Sequence, residues 1–472
     1  MVGARITDRF IGIISTLILA RLLVPSDFGL IAMATAIGGM LDLLGAFSFD
    51  MALIQNSKAE RRHYDTVWTF NLLFGIACGF ALIALASVVA EFYREPRLED
   101  VMYFLSLAYF IAAFNNIGII AFRKELNFHQ EFALVFIRRV ITFIVTISGA
   151  FLLKSYWALM FGIVIGRICT LVMSYTMHQY RPRLTLSAAR ELFNFSKWLL
   201  INNALFFMLH NGCTFIVGRL FGSTELGIYA VAYEIASLPS TELVAPINRA
   251  TFPGFSKMQE RATIASAYLK LFGMIFLTIL PVGLGIAAVA DPLVMTMLGD
   301  KWIAAIPLIQ LLAIHGAIGA TQGNNGTVWL AMGKPRDLTV MAVFFLAVLF
   351  PSLYYFMSRY GIVGAGYAYI LANIATVPYG MRISQRLLGF RWVELLATVW
   401  RPLIGIACMY GAVWVIEPYT RGLIPLARLL INSGTGAIVY IGVVLLLWQV
   451  ARRPAGAEAY LLARLNVGSK AN

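Results

Sequence analysis

Charge is what this chain lacks most. Only 13% of its residues are Asp, Glu, Lys or Arg, 60% are hydrophobic, and the mean hydropathy is +0.79. Soluble domains run at about 25% charged and roughly 45–50% apolar, so 472 residues of this composition cannot cover a water-facing surface. Cysteine is scarce as well: Cys78, Cys169, Cys213 and Cys408 lie in apolar runs without CxxC spacing. That excludes a disulfide framework or thiolate metal centre and leaves small core hydrophobes. The signatures of chemistry are also missing, with no HExxH, GxSxG, Walker loop or DxD pair. The five histidines are scattered, and no long loop remains to house a catalytic domain. We assign no catalytic residue, no cofactor and no metal ligand, and the chain does not read as an enzyme.

What is present is a succession of apolar runs. A membrane-crossing helix needs about 20 such residues. Fourteen candidate spans fall at about 6–23, 28–52, 65–90, 101–122, 132–153, 156–177, 197–218, 226–249, 264–289, 303–331, 338–357, 362–382, 402–418 and 425–449. The fold class is therefore an all-α polytopic membrane protein. Residues 1–23 have the basic flank of a signal peptide but no small-residue cleavage site, and read as the first span.

A net charge of +14 would suggest nucleic acid in a soluble protein. Here the charges sit in short tethers, where the positive-inside rule acts. With the N-terminus in the cytoplasm, 25 of the 37 Lys and Arg fall on the cytoplasmic side, nine on the other, and three inside spans. That imbalance puts both termini in the cytoplasm.

An internal repeat appears at an offset of 198 residues: RLLVPSDFGLIAMA at 21–34 against RLFGSTELGIYAVA at 219–232, matching Arg21 with Arg219, Asp27 with Glu225 and Gly29 with Gly227. The reading is a parallel repeat. Residues 1–180 form an N-terminal six-helix bundle, 181–197 an amphipathic cytoplasmic linker and 198–388 a second six-helix bundle. Residues 389–450 add two helices, and 451–472 form a cytoplasmic tail. In the linker, Leu184, Ala188, Leu192 and Phe195 share a helical face opposite Arg190 and Glu191. Prolines 239, 246, 281, 307, 351 and 378 lie inside second-half spans, whereas the first half keeps its three in loops or the linker. Bending is expected in the second bundle and rigidity in the first.

Ionisable residues within spans are costly and are functional candidates. Arg138 and Arg139 lie about two turns into the fifth span. Adjacent helical residues diverge by about 100°, so the two cannot both face one cavity. Arg167 is the deepest cation, read either as the partner of Asp42 in the second span or as a guanidinium that receives an anion. In the eighth span, at about 100° per residue, Glu234, Glu242 and Arg249 fall on one arc of the helix. That stripe reads either as an ion-pair ladder or as a coupling and gating element, with Asp42 assigned alongside Glu234 and Glu242. The amides at Asn115, Asn116, Gln322, Asn324 and Asn325 read as interhelical hydrogen bonds.

The stretch LILARLLVPSDFGLIAMA, with MALIQN, AFRKELNF and YEIASLPSTELVAPINRATFP, resembles the Wzx-type polysaccharide flippases, in particular the WzxC-like branch of the multidrug/oligosaccharidyl-lipid/polysaccharide exporters. The resemblance covers nearly the whole chain. It implies a V of two six-helix bundles plus two further helices, as in MATE transporters. It also implies translocation of an undecaprenyl-diphosphate-linked oligosaccharide across the bacterial inner membrane by alternating access. The family's cationic cavity carries over by position onto Arg138, Arg139, Arg167 and Arg249. Implied partners are the lipid-linked oligosaccharide, membrane lipids and other polysaccharide assembly proteins, not nucleic acid, and coupling is to an H+ or Na+ gradient. A cation-coupled multidrug exporter, a teichoic-acid or peptidoglycan-precursor flippase and a membrane-embedded glycan polymerase or ligase are the alternatives. The first expects acids deep in the first bundle, and the last expects a long outer loop.

Overall fold

The computed structural model describes residues 2–44, 53, 60–125, 127–454 and 456–460, and every element among them is helical. In hydrocarbon no water replaces a lost backbone hydrogen bond, so a spanning segment must satisfy its own amides. Among the described residues, ten helices are long and apolar enough to cross a membrane, or eleven if one bent pair is a single span. That measure takes residues 203–257 as one stretch, where two of the fourteen expected spans fall, and does not fix the count at fourteen.

The chain divides into two compact units, Met1–Ala230 and Val231–Asn472. The first holds α1 (Val2–Leu22), α2 (Pro25–Leu44), α3 (Arg61–Tyr93), α4 (Arg97–Ala113), short α5 (Ile120–Lys124), α6 (Phe128–Leu153), α7 (Trp157–Thr176) and α8 (Ala189–Leu238) as far as Ala230. Its packed pairs are α3 with α4, α6 with α7, α1 with α6 and α4 with α7. Helix ends at Arg94 and Lys154 turn through positive φ (55° and 48°), which breaks the ladder and reverses the chain.

The repeat returns as a contact inside this unit. A Cβ on Gly29 would strike the Ser223 carbonyl, and one on Gly227 would strike the Pro25 carbonyl. Each pair member stands 198 residues from its counterpart, so the approach is reciprocal. Gly222, at φ 82°, breaks α8 just before this crossing. Beside it the Glu95 carboxylate accepts from Arg97 Nε at 2.8 Å and from Ser223 Oγ at 2.7 Å.

The second unit continues from α8 through a π-turn (Pro239–Val244) into α9 (Ala245–Lys257), α10 (Arg261–Ala288), α11 (Ala290–Met297), α12 (Ile306–Ala331), α13 (Pro335–Tyr360), α14 (Val363–Leu388), α15 (Trp392–Thr420) and α16 (Pro425–Val450). A buried core of Tyr268, Phe272, Ile275, Val328, Met381 and Phe390 joins α10, α12 and α14. Polar bonds run through it: Tyr268 Oη donates to Asn325 Oδ1 at 2.6 Å, and Trp329 Nε1 to Ser384 Oγ at 3.0 Å. The extra pair, α15 and α16, is fastened to α10, with Tyr410 Oη donating to the Leu284 carbonyl at 2.8 Å and Tyr440 Oη to that of Leu277 at 2.7 Å.

Three expectations change. The helical face of the linker does not reach back to Leu184. Residues 181–186 carry no helix, Ser187 and Ala188 make a turn, and α8 begins at Ala189. Leu184 is exposed while Ala188 is buried; the side chains of Arg190, Glu191, Leu192 and Phe195 lie outside the described residues, as do Leu461 and Leu462 of the tail. The cause is a better set of partners. Asp65 Oδ1 accepts from Tyr180 Oη and from the Arg183 N–H (2.9 Å), Thr69 Oγ1 accepts from the Thr185 N–H (3.0 Å), and Thr66 Oγ1 from that of Ala188 (3.3 Å). Second, the first unit is not free of bends: α4 and the segment Ile117–Lys124 meet at 70° without a proline. Asn116 makes the break, its Oδ1 accepting from the Gly118 N–H at 2.9 Å. Third, the eighth span is not a regular helix. In the π-turn the Ala245 N–H reaches back five residues to Ser240, shifting all that follows by about one residue.

Candidate functional site

Inside the first unit, α2, α3, α4 and α7 enclose a cavity of about 310 Å³. Its polar lining is Asp42, Asn71, Tyr109, Asn115, Asn116 and Arg167. The Asp42 carboxylate is hydrogen-bonded to the Tyr109 hydroxyl and interacts electrostatically with Arg167. Arg167 is exposed, not sealed in an ion pair. A cation, an anion and amides thus border one open space, and a guanidinium so placed has the geometry to pair with a carboxylate or a phosphate.

The adjacent arginines part as helical geometry requires. Arg139 lies against Gly12 of α1, and the charge of Arg138 is felt at Cys169 of α7. Neither is among the residues lining the Arg167 cavity. Of the sequence-expected cations in this unit, only Arg167 stands there, together with Asp42.

In the second unit Glu234 and Arg249 are exposed and Glu242 is half-buried. Glu242 sits within the π-turn, Glu234 before it and Arg249 beyond it, so the common arc of a regular helix does not carry through. Asn325 Nδ2 donates to Gln322 Oε1 at 2.8 Å within α12, and of these two amides Asn325 makes the expected bond between helices, its Oδ1 accepting from Tyr268 Oη of α10.

Sequence reasoning missed Asn71 and Tyr109. Asn71 carries the same signal as Asp42, a polar residue within an apolar run, but without the charge that makes Asp42 stand out. Tyr109 carries none, because an interfacial or core tyrosine looks the same in a sequence. Lys270 was also missed. It falls inside the expected span 264–289 and lies nine residues into α10, yet it was not singled out with the other cations of the spans.

A family model described as "Polysaccharide biosynthesis protein" matches residues 18–307. The chain is 24% identical over 402 residues to the lipopolysaccharide biosynthesis protein WzxC of Escherichia coli (83% of this chain, 81% of that protein). It is 23% identical over 405 residues to the teichuronic acid biosynthesis protein TuaB of Bacillus subtilis (83% of each). Among solved structures it is similar to the lipid II flippase MurJ in an inward closed conformation, with TM-score 0.75 at 14% identity over 95% of this chain and 99% of that one. An inward-facing MATE transporter gives 0.62 at 13%, over 80% and 94%. These likenesses carry the fold, that of a multi-pass helical membrane protein. The matched model spans more than half of the sequence, and the chain belongs to the polysaccharide biosynthesis protein family.

Proposed function

We propose that this protein is a flippase that carries a polyprenyl-diphosphate-linked oligosaccharide across the bacterial inner membrane, with both termini in the cytoplasm. The supporting observation is the cavity in which Arg167 faces open space beside Asp42 and amides. A diphosphate-linked sugar cannot cross hydrocarbon with its charges and hydroxyls unpaired. A guanidinium pairs with phosphate through two parallel hydrogen bonds, which suits the anchor shared by all such substrates. The variable glycan then meets amide and aromatic side chains. The names of WzxC and of the succinoglycan biosynthesis transport protein ExoT (22% identical) support the polysaccharide assignment, and so does that of Agl15 (23%), which is named a "probable low-salt glycan biosynthesis flippase".

Arg138, Arg139 and Arg249 complete the proposed cationic set outside the Arg167 cavity. Coupling to an H+ or Na+ gradient is assigned to Asp42, Glu234 and Glu242. At Asp42, binding of a proton or cation frees Arg167 for the anchor, and release of the anchor returns it.

The test is complementation of glycan export with protein levels checked in parallel. A charge-assisted bond to phosphate is worth about 1.5–3 kcal/mol, roughly ten- to a hundred-fold in affinity. Arg167→Ala should lose most export and Arg167→Lys should be intermediate. Asp42→Asn should weaken the response to an imposed gradient. Full export by Arg167→Ala at normal levels would remove this arginine from the substrate site.

A further inference from the structure

A further cavity belongs to the second unit. It measures about 1080 Å³ and lies where the start of α10, the turn from α14 to α15 and residues 456–460 come together. Its walls are amphipathic. Ala265, Leu269, Leu388, Phe390 and Ala457 give an apolar side, while Arg261, Lys270 and Glu394 supply charge.

The charge does not balance. Glu394 is taken by Arg391, whose Nε donates to it at 3.0 Å. Arg261 donates to the Arg386 carbonyl at the end of α14 and, among the described residues, has no carboxylate within ion-pair distance. Lys270 stands about 13 Å along α10 from its start, at 1.5 Å per residue. Its ammonium lies 4.5 Å above the Tyr460 ring, and it too has no carboxylate partner among the described residues. A lysine so far into an apolar helix is costly unless an anion meets it. The tail that lends it the ring is itself held firmly. Glu458 accepts from Arg401 Nε at 2.7 Å, and both side chains are at least 92% buried. The cavity is thus a built recess, with two unbalanced cations and an apolar wall at one end of a membrane bundle.

We infer that this recess binds the phosphate headgroup of an anionic phospholipid, with Lys270 and Arg261 as its contacts and the apolar wall taking the upper part of the lipid tails. Basic pockets between helices at a membrane face hold such headgroups, and the pairing of charged rim with apolar wall is what an amphiphile needs and a free ion does not. With both termini in the cytoplasm, as proposed above, the recess lies in the cytoplasmic leaflet; binding itself does not depend on that reading or on transport.

The experiment uses the full chain in nanodiscs of mixed phosphatidylcholine and phosphatidylglycerol, with retained lipid counted by native mass spectrometry after extraction. The unaltered protein should retain phosphatidylglycerol in preference. Arg261→Gln with Lys270→Gln should cut that preference about ten-fold or more, while Lys270→Arg keeps it. Lys334→Gln, a cation outside the recess, should leave it unchanged. Equal retention by the double glutamine variant would overturn the inference. So would loss in Lys270→Arg at an unchanged unfolding temperature, or inorganic phosphate displacing the lipid as readily as phosphatidylglycerol vesicles do.

Discussion

Glycine at 29 and 227 is dictated by what stands opposite, a backbone carbonyl that cannot swing aside like a side chain. Alanine at either position must push two helices apart, at the cost of overpacking, about 1–3 kcal/mol. Each single substitution should lower the unfolding temperature in detergent. The double variant should fall short of the sum, because both act on one contact. Glu95, at the neighbouring turn, is a smaller contributor. The Arg97 hydrogen bond, followed by that of Ser223, holds its carboxyl below the usual glutamate range. Such a depressed value stabilises fully above the ordinary Glu value of about 4.3 and is lost as pH falls below it. Glu95→Gln should therefore cost at most about 1 kcal/mol near neutrality, since the Arg97 side chain is 43% exposed. Protein and variant should converge in acid thermal scans.

At the scale of elements, the segment between α7 and α8 carries its own pH sensitivity. His178 Nδ1 accepts from the Tyr180 N–H at 3.0 Å, which requires the neutral ring, and burial holds its value below the ordinary 6.5. The contact is fully present above that value and is lost as pH falls through the depressed one. Hydrogen exchange across 178–188, corrected for intrinsic rates, should quicken on going from about pH 7 to about pH 5. His178→Asn keeps an acceptor that does not titrate in this range and should flatten the response. The α15–α16 pair offers a different test. Breaking the buried Arg401–Glu458 pair with Arg401→Leu alone should cost about 3–5 kcal/mol, whereas adding Glu458→Leu should recover most of it. Chemical unfolding of the four members of that cycle decides it. Neither device is legible in the sequence, since hydropathy reports what a segment is buried in and not which residue it meets. The linker shows this plainly. Its helical pattern is real, but Asp65, Thr66 and Thr69, more than 100 positions away, supply stronger local partners.

For the molecule as a whole, legibility runs the other way. Low charge and long apolar runs dictate a helical membrane protein, because the bilayer admits few other solutions. The 198-residue repeat already pairs Gly29 with Gly227, the two glycines that meet where the helices cross. The Arg167 cavity is half-readable: its charges stand out against hydrocarbon, while Asn71 and Tyr109 do not. The eighth-span stripe fails because angular arithmetic presumes an unbroken helix, and the π-turn breaks it. Sidedness has a direct check. In a variant without the four native cysteines, Lys154→Cys should react with an impermeant maleimide on intact cells, and Lys334→Cys only after permeabilisation.

The strapped segment 178–188 has a consequence for reach. Those eleven residues, if extended, would span about 36 Å. While Asp65, Thr66 and Thr69 hold them, that length is slack taken in. How far α7 and α8 can separate is then set by hydrogen bonds, not by the number of residues between them, and a proton on His178 lets out part of the line.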